Sequence, residues 1–269
     1  MPADRLNAHM MLPRSMPKDT TISGIISDLD GVVYRGDNPI ADAVQAFRAW
    51  HSNGVPYVFV TNSTTKSSAE FATKLCRMGV PVTEGQVFGA IAATVSLMRR
   101  RWPSGATVFA IGERPLFEAL EVGGFRRAGE DAEIVVLSFD YALTYAKLRT
   151  AVRAALGGAA VVVTNPDILT PAEDGYEPCV GTLMAAMTAA VPGCAPIVVG
   201  KPEPFMIEEA LAFIGTPRSQ TIMIGDQVAT DILAGQRAGL RSVLVTTGVP
   251  AQSVPGVAPD RVVASLLDI

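Results

Sequence analysis

Asp28 and Asp30 stand two positions apart in the run Ser27-Asp28-Leu29-Asp30-Gly31-Val32-Val33-Tyr34, directly after a short apolar stretch. Side chains at i and i+2 leaving a strand point the same way, so extended geometry would aim both carboxylates at one small volume. Like charges crowded there repel unless a cation or a shared proton intervenes. Taken alone, a polar turn or a helix cap accounts for the pair as well. Three other segments have comparable chemical content. Val60-Thr61-Asn62-Ser63-Thr64 offers hydroxyls and amides able to donate to phosphate oxygens, or simply a loop and a helix cap. Gly200-Lys201-Pro202 carries a lysine that could offset phosphate charge, or an ordinary surface lysine. Ile224-Gly225-Asp226-Gln227-Val228-Ala229-Thr230-Asp231 sets two acids at a strand-to-helix junction, and hard divalent cations take such oxygen ligands. A capping aspartate explains Asp226 but leaves the second acid unexplained.

The elements that must position these residues follow from periodicity. Apolar runs predict strands at residues 22–27, 55–60, 107–111, 133–138, 159–164, 196–199, 221–224 and 241–245, and all four segments fall at strand ends. Between the strands, Ile40, Val44, Phe47 and Trp50 recur at helical spacing before Gly54. Ser67 and Glu70 have capping-box spacing ahead of the stripe Phe71, Leu75 and Met78, which Gly79 can end. Strands alternating with helices predict an α/β fold on a mostly parallel sheet, and open sheets of that kind hold ligands at strand ends.

Composition narrows the partners. The 269 residues carry a net charge of -4 and are 49% hydrophobic and 18% charged, the balance of a compact globular chain. Arg99, Arg100 and Arg101 form the only dense basic run, read as a solvated helix end, which argues against nucleic acid or an anionic membrane as partner. No stretch approaches the ~20 apolar residues of a membrane span. Cys76, Cys179 and Cys194 are widely spaced, odd in number and without a C-x-x-C pair, which fits a reducing cytoplasm better than a disulfide framework or structural zinc. Residues 1–20 mix charges with prolines and lack a secretion signal's apolar run, so a mobile tail is expected there, with Met11 or Met16 as alternative starts.

Taken together, Asp28/Asp30, Thr61, Lys201 and Asp226/Asp231 resemble in order and spacing the four motifs of the haloacid dehalogenase superfamily of phosphotransferases. Thr61-Asn62, Thr164-Asn165-Pro166-Asp167, Val199-Gly200-Lys201-Pro202-Glu203-Pro204 and Thr230-Asp231-Ile232 are similar to its NagD/4-nitrophenylphosphatase branch. The resemblance implies a Rossmann-like core over residues 21–83 and 196–269. A C2-type α/β cap would be inserted over 84–195. Spacing agrees, because the interval from Asp30 to Thr61 holds one helix and one strand. The interval from Thr61 to Lys201 far exceeds the ~30 residues of one βαβ passage.

The same resemblance implies a phosphatase acting on a small phosphorylated metabolite. Asp28 would be the nucleophile and Asp30 the general acid and base. Mg2+ would be held by Asp28, the Asp30 carbonyl and Asp226, with Asp231 ordering the metal shell or Lys201 from behind. Backbone N–H groups near Gly31, the Thr61 hydroxyl, Asn62 and Lys201 would bind the phosphoryl group. Asn165, Asp167 and Gly181 of the cap would face the substrate, and a homodimer through the cap is an option that relatives use. Ser63 and the run Pro178-Cys179-Val180-Gly181 depart from the usual pattern and bear on substrate choice.

The segment 165–187 contains Asp167, Glu173, Asp174 and Glu177 and no basic residue. Facing the site, these acids would disfavour an anionic leaving group; facing solvent, they would say nothing. A cysteine phosphatase lacks its arginine here, and Pro202 after Gly200-Lys201 argues against a P-loop. The different-class alternative is a non-catalytic metabolite-binding or regulatory member of the same fold.

Overall fold

The computed structural model describes residues 22–172, 175–249 and 252–269. The tail expected over residues 1–20 lies outside the described residues, as do Glu173 and Asp174. All eight predicted strands form, as Gly24–Ser27, Tyr57–Thr61, Thr107–Ile111, Ile134–Leu137, Ala160–Val163, Ile197–Val198, Thr221–Gly225 and Arg241–Val245. They distribute over two sheets. The larger runs Arg261–Val263, Arg241–Val245, Thr221–Gly225, Gly24–Ser27, Tyr57–Thr61, Val87–Gly89, every neighbouring pair parallel. The smaller runs Ile197–Val198, Ala160–Val163, Ile134–Leu137, Thr107–Ile111, Arg126–Arg127, also parallel.

Sheet membership departs from the expected division at both ends. Val87–Gly89 pairs with Tyr57–Thr61 and belongs to the larger sheet, beyond the boundary drawn at 83. Ile197–Val198 pairs with Ala160–Val163 in the smaller sheet, beyond 195. Backbone hydrogen bonds decide membership, and strands of two or three residues are too short for periodicity to reveal it.

Ile25, Ile26, Val58, Phe59, Ile222 and Met223 are fully enclosed, as a parallel sheet covered on both faces requires. The stripe from Ile40 to Trp50 forms the helix Ala41–Ser52. Its Phe47 ring meets Trp50, Tyr57 and Phe59 at centroid separations of 5.0, 5.2 and 4.8 Å. Aromatic contacts at these distances add to what area burial alone supplies. The helix ends at Asn53, and Gly54 turns the chain at φ 69°, where a side chain would be strained. The capping box holds the start of Ser68–Arg77: Glu70 N donates to Ser67 Oγ at 3.2 Å, and Ser67 N to Glu70 Oε2 at 2.7 Å.

Gly24–Ser27 lies between Tyr57–Thr61 on one side and Thr221–Gly225 on the other. The order in which strands are added to the sheet reverses there, which opens a crevice beyond the carboxyl ends of these strands. The two sheets are tied by the helix Ala90–Arg101 against Phe205–Ile214. Leu97 and Met98 share a buried cluster with Val199 and Met206, and Ser96 Oγ donates to Glu209 Oε2 at 3.0 Å. Among the described residues no helix is long and apolar enough to cross a membrane, and the three cysteines are free.

Because Phe47 is sealed among three rings, Phe47→Ala is expected to cost about 3–5 kcal/mol. A urea-unfolding midpoint that barely moves would show that this cluster does not hold the helix to the sheet.

Candidate active site

The Gly24–Ser27 strand delivers Asp28 to the crevice, and Asp28 N donates to Ile224 O at 2.9 Å, locking it to the neighbouring strand. Thr221–Gly225 delivers Asp226 beside it. A single π-type turn, Val228–Ile232, then brings Asp231 back under both. Carboxylate oxygens of Asp28, Asp226 and Asp231 all lie within 4.8 Å of one another, and all three residues are buried. Lys201 reaches in from the crossing between the sheets. Its Nζ donates to Asp28 Oδ1 at 2.6 Å, to Asp231 Oδ1 at 2.7 Å and to Val60 O at 3.4 Å, so its three donors have three acceptors.

Three carboxylates face one ammonium, and burial together with the neighbouring charges shifts the pKa values of Asp28 and Asp226. Burial pushes the Asp28 carboxyl well above the usual range; Lys201 opposes this, while Asp231 and Asp226 add to it. Burial, then Asp231, pushes Asp226 up to about 6. For Lys201 burial alone would lower the pKa, but Asp231 and Asp28 outweigh it and the net shift is upward, so the ammonium form is held.

Oxygen by oxygen, the acids differ. Asp231 uses both, accepting from Lys201 Nζ and from Gln227 N at 3.0 Å. Asp226 Oδ2 accepts from Val249 N at 3.0 Å, whereas its Oδ1 is buried with no hydrogen-bond partner among the described residues. A buried oxygen left unpaired costs about 1–3 kcal/mol, and more when charged. With Asp28 using one oxygen on Lys201, Asp28 and Asp226 have the capacity for a hard divalent cation, and the donor chemistry fits one.

Gly31 and Gly248 pack on Asp226. A Cβ on Gly31 would lie 2.4 Å from Asp226 Oδ2, and one on Gly248 1.9 Å from the same atom. The loop from Thr246 to Val249 went unread in the sequence. Its signal was a glycine following the Arg241–Val245 strand, at the same edge as the other segments.

Several expected contacts are arranged differently. Gly31 N donates to Tyr34 O at 2.8 Å, closing its own turn. Asn62, expected on the phosphoryl group, has its amide fully engaged: Oδ1 accepts from Lys201 N at 2.8 Å, and Nδ2 donates to Lys201 O at 2.9 Å and to Asp167 Oδ2 at 3.1 Å. Asn165 Nδ2 donates to Asn62 O at 2.9 Å, and Gly181 N to Asp167 O at 2.7 Å. Asn165 and Asp167, expected to face a substrate, are thus turned toward Asn62 at the joint between the sheets, because the segment after Ala160–Val163 that carries them runs beside the Gly200-Lys201 crossing, while Gly181, in the helix Val180–Ala190, holds the Asp167 backbone.

Thr61 is buried at its strand end, and its Oγ1 accepts from Ser63 N at 3.1 Å, which leaves the hydroxyl proton to give. Asp30 stands apart from the Lys201 cluster. Its residue surface is largely open at the mouth, yet desolvation of the carboxyl within its loop raises the pKa, against Lys74 and the N–H groups of Gly31 and Gly36.

Two family models match the chain, a haloacid dehalogenase-like hydrolase model over residues 25–126 and a related hydrolase-like model over 198–269. The chain is 39% identical to the 5'-nucleotidase YutF of Bacillus subtilis over 229 residues, 85% of this chain and 89% of that protein. A thermostable NPPase double mutant from Geobacillus stearothermophilus superposes with a TM-score of 0.87 at 36% identity, covering 93% of this chain and 98% of that one. A glycerol phosphate phosphatase from Mycobacterium tuberculosis, crystallised in complex with calcium, gives 0.82 at 30% identity over 91% of this chain and 73% of its own. The chain belongs to the haloacid dehalogenase-like hydrolases, in the branch of phosphoric monoester hydrolases that includes NagD and 4-nitrophenylphosphatase.

Proposed function

We propose that this chain is a magnesium-dependent cytoplasmic phosphatase that hydrolyses small phosphate monoesters through an aspartyl-phosphate on Asp28. The observation that carries the reading is the buried trio of carboxylates with one lysine, in which Asp226 Oδ1 has no hydrogen-bond partner among the described residues. The body on the smaller sheet, close to the expected insertion over 84–195, serves as the cap. Relatives named as a nucleotidase and a glycerol phosphate phosphatase support the substrate class.

In this reading Lys201 holds one oxygen of Asp28 and aims the other at phosphorus. As the Asp28 oxygen bonds to phosphorus, the bond to the leaving oxygen breaks and Asp30 gives that oxygen a proton; its raised pKa suits the task. Water then attacks the aspartyl-phosphate, Asp30 takes the water's proton, and phosphate leaves with Asp28 restored. Thr61 donates its free hydroxyl proton to a phosphoryl oxygen. Asp28 and Asp226 would hold the cation together with the Asp30 carbonyl, while Asp231 orients Lys201. When bound, a divalent ion supplies Lewis-acid neutralisation of the phosphoryl charge.

The leaving group is left at the level of small monoesters. Of the four acids that bore on it, Asp167 is turned to Asn62, Glu177 is half-buried on a hairpin strand, and Glu173 and Asp174 lie outside the described residues.

Purified protein is expected to release 4-nitrophenol from 4-nitrophenyl phosphate only with Mg2+ present, and Asp28→Asn to lower kcat by at least about 10³-fold. Wild-type protein inactive on every phosphate monoester tested would favour the binding-module alternative. Independently of turnover, Mg2+ at about a hundred times its Kd is expected to stabilise the fold by about 2.7 kcal/mol. Asp226→Asn should abolish that rise in melting temperature; an undiminished rise would move the ion elsewhere.

A further inference from the structure

The amide of Asn62 bridges the two backbone polar groups of Lys201, accepting from its N–H and donating to its carbonyl. No donor remains on that amide, because its second N–H goes to Asp167, at 3.1 Å from Oδ2 and 3.3 Å from Oδ1. Asn62 follows Tyr57–Thr61 of the larger sheet, whereas Asp167 follows Ala160–Val163 of the smaller one. Asn165 crosses the same gap, with Nδ2 on Asn62 O and Oδ1 accepting from Asp167 N at 3.1 Å. The lysine's own segment continues the smaller sheet's pairing, as Val199 N donates to Val163 O at 3.0 Å and Gly200 N to Thr164 O at 2.9 Å. Gly200 permits this approach, since a Cβ there would lie 2.5 Å from Thr164 O and 2.6 Å from Asn62 Oδ1. The two sheets therefore meet at the backbone from which the Lys201 side chain departs.

We propose that Asp167 and Asn62 are positioning residues for Lys201: the Asp167 carboxylate fixes the Asn62 amide, which fixes the lysine's peptide and so the placement of its ammonium on Asp28 and Asp231. The proposal rests on the reading of Lys201 as part of the phosphatase site. It removes Asp167 from the substrate's leaving group and Asn62 from the phosphoryl group. Its kinetic consequence follows from distance, because a misplacement of about 1 Å in a charge-stabilising group costs on the order of 10²-fold in rate. A group that acts through Lys201 alters the reaction of every substrate alike. One that touches the leaving group alters substrates selectively and mainly through binding.

The test uses the full chain with Mg2+ and three probes: 4-nitrophenyl phosphate, a sugar phosphate and a nucleoside monophosphate. Asp167→Ala is expected to lower kcat by about 10- to 100-fold, by a common factor for all three, with KM within about threefold. Asp167→Asn keeps an oxygen for the Asn62 amide and is expected to stay within about threefold of wild type. Asn62→Asp sets an oxygen against Asp167 and the Lys201 carbonyl and should lose kcat. Adding Asp167→Asn supplies a donor to the new carboxylate and should recover part of that loss, a rescue that general destabilisation does not produce.

Loss concentrated in KM, loss that differs from one leaving group to another, or Asp167→Asn as damaged as Asp167→Ala would overturn the proposal. A readout free of turnover accompanies these: amide hydrogen exchange at Lys201 should quicken in Asp167→Ala. Unchanged exchange there counts against the latch even if wild-type protein proves to have no phosphatase activity, an outcome that would sink the functional reading alone.

Discussion

Everything at the crevice depends on one buried ammonium. Lys201 is 2% exposed and Asp231 0%, and the lysine bridges Asp28 and Asp231 at 2.6 and 2.7 Å. Desolvating each of these ions costs several kcal/mol, and mutual attraction offsets that only where the remaining lone pairs and protons are also satisfied. For Lys201 and Asp231 they are, through Val60 O and Gln227 N. For Asp226 they are half satisfied, and for Asp28 one oxygen is held. The protein has placed its fixed cation on one side of the acidic cluster and left the other side negative, with carboxylate oxygens that could hold a cation. Asp231 illustrates the division of labour: an acid counted by residue type belongs to a metal set, but counted by oxygen atoms it belongs to the lysine.

That distinction sets how much was legible beforehand. Strand ends could be read because parallel strands buried on both faces appear as uninterrupted apolar runs, and each of the four chemical segments follows one of them. The Ser67/Glu70 box could be read because its two bonds are local, three residues apart. Val87–Gly89 and Arg261–Val263 could not, since three residues at a sheet's edge hold too little pattern. The roles of Asn62, Gly31 and Asn165 depend on where a limited number of donors go in three dimensions. Residue type announces what a side chain can donate, and only packing decides which acceptor arrives first. Asn62 and Lys201 are far apart in the chain, and no local spacing could have paired them.

Glycines mark the places where this allocation is tightest. Gly31 and Gly248 come from opposite ends of the chain and close on the same Asp226 oxygen, while Gly200 lets Asn62 reach the Lys201 peptide. At each, an added methyl would collide with a functional polar atom. Their value therefore lies in close approach, and for Gly31, at φ 79°, in backbone freedom as well.

The architecture carries a cost that the joint resolves. A second sheet inserted between Thr61 and Lys201 separates in sequence two buried residues that lie at the same crevice, and the lysine returns to the larger sheet only after Ile197–Val198 has paired with the smaller one. The position of Lys201 is thus inherited from both bodies at once. Any relative shift would be transmitted to its ammonium unless something fixes the peptide at the crossing. Packing of Met98 against Val199 and Met206 restrains the shift through bulk, which is strong but not directional. Hydrogen bonds are directional, and the Asn62 amide engages the backbone N–H and carbonyl of Lys201 together with a carboxylate from the other sheet. Apolar packing sets how firmly the two bodies are held, and a single saturated amide sets the register in which the lysine arrives.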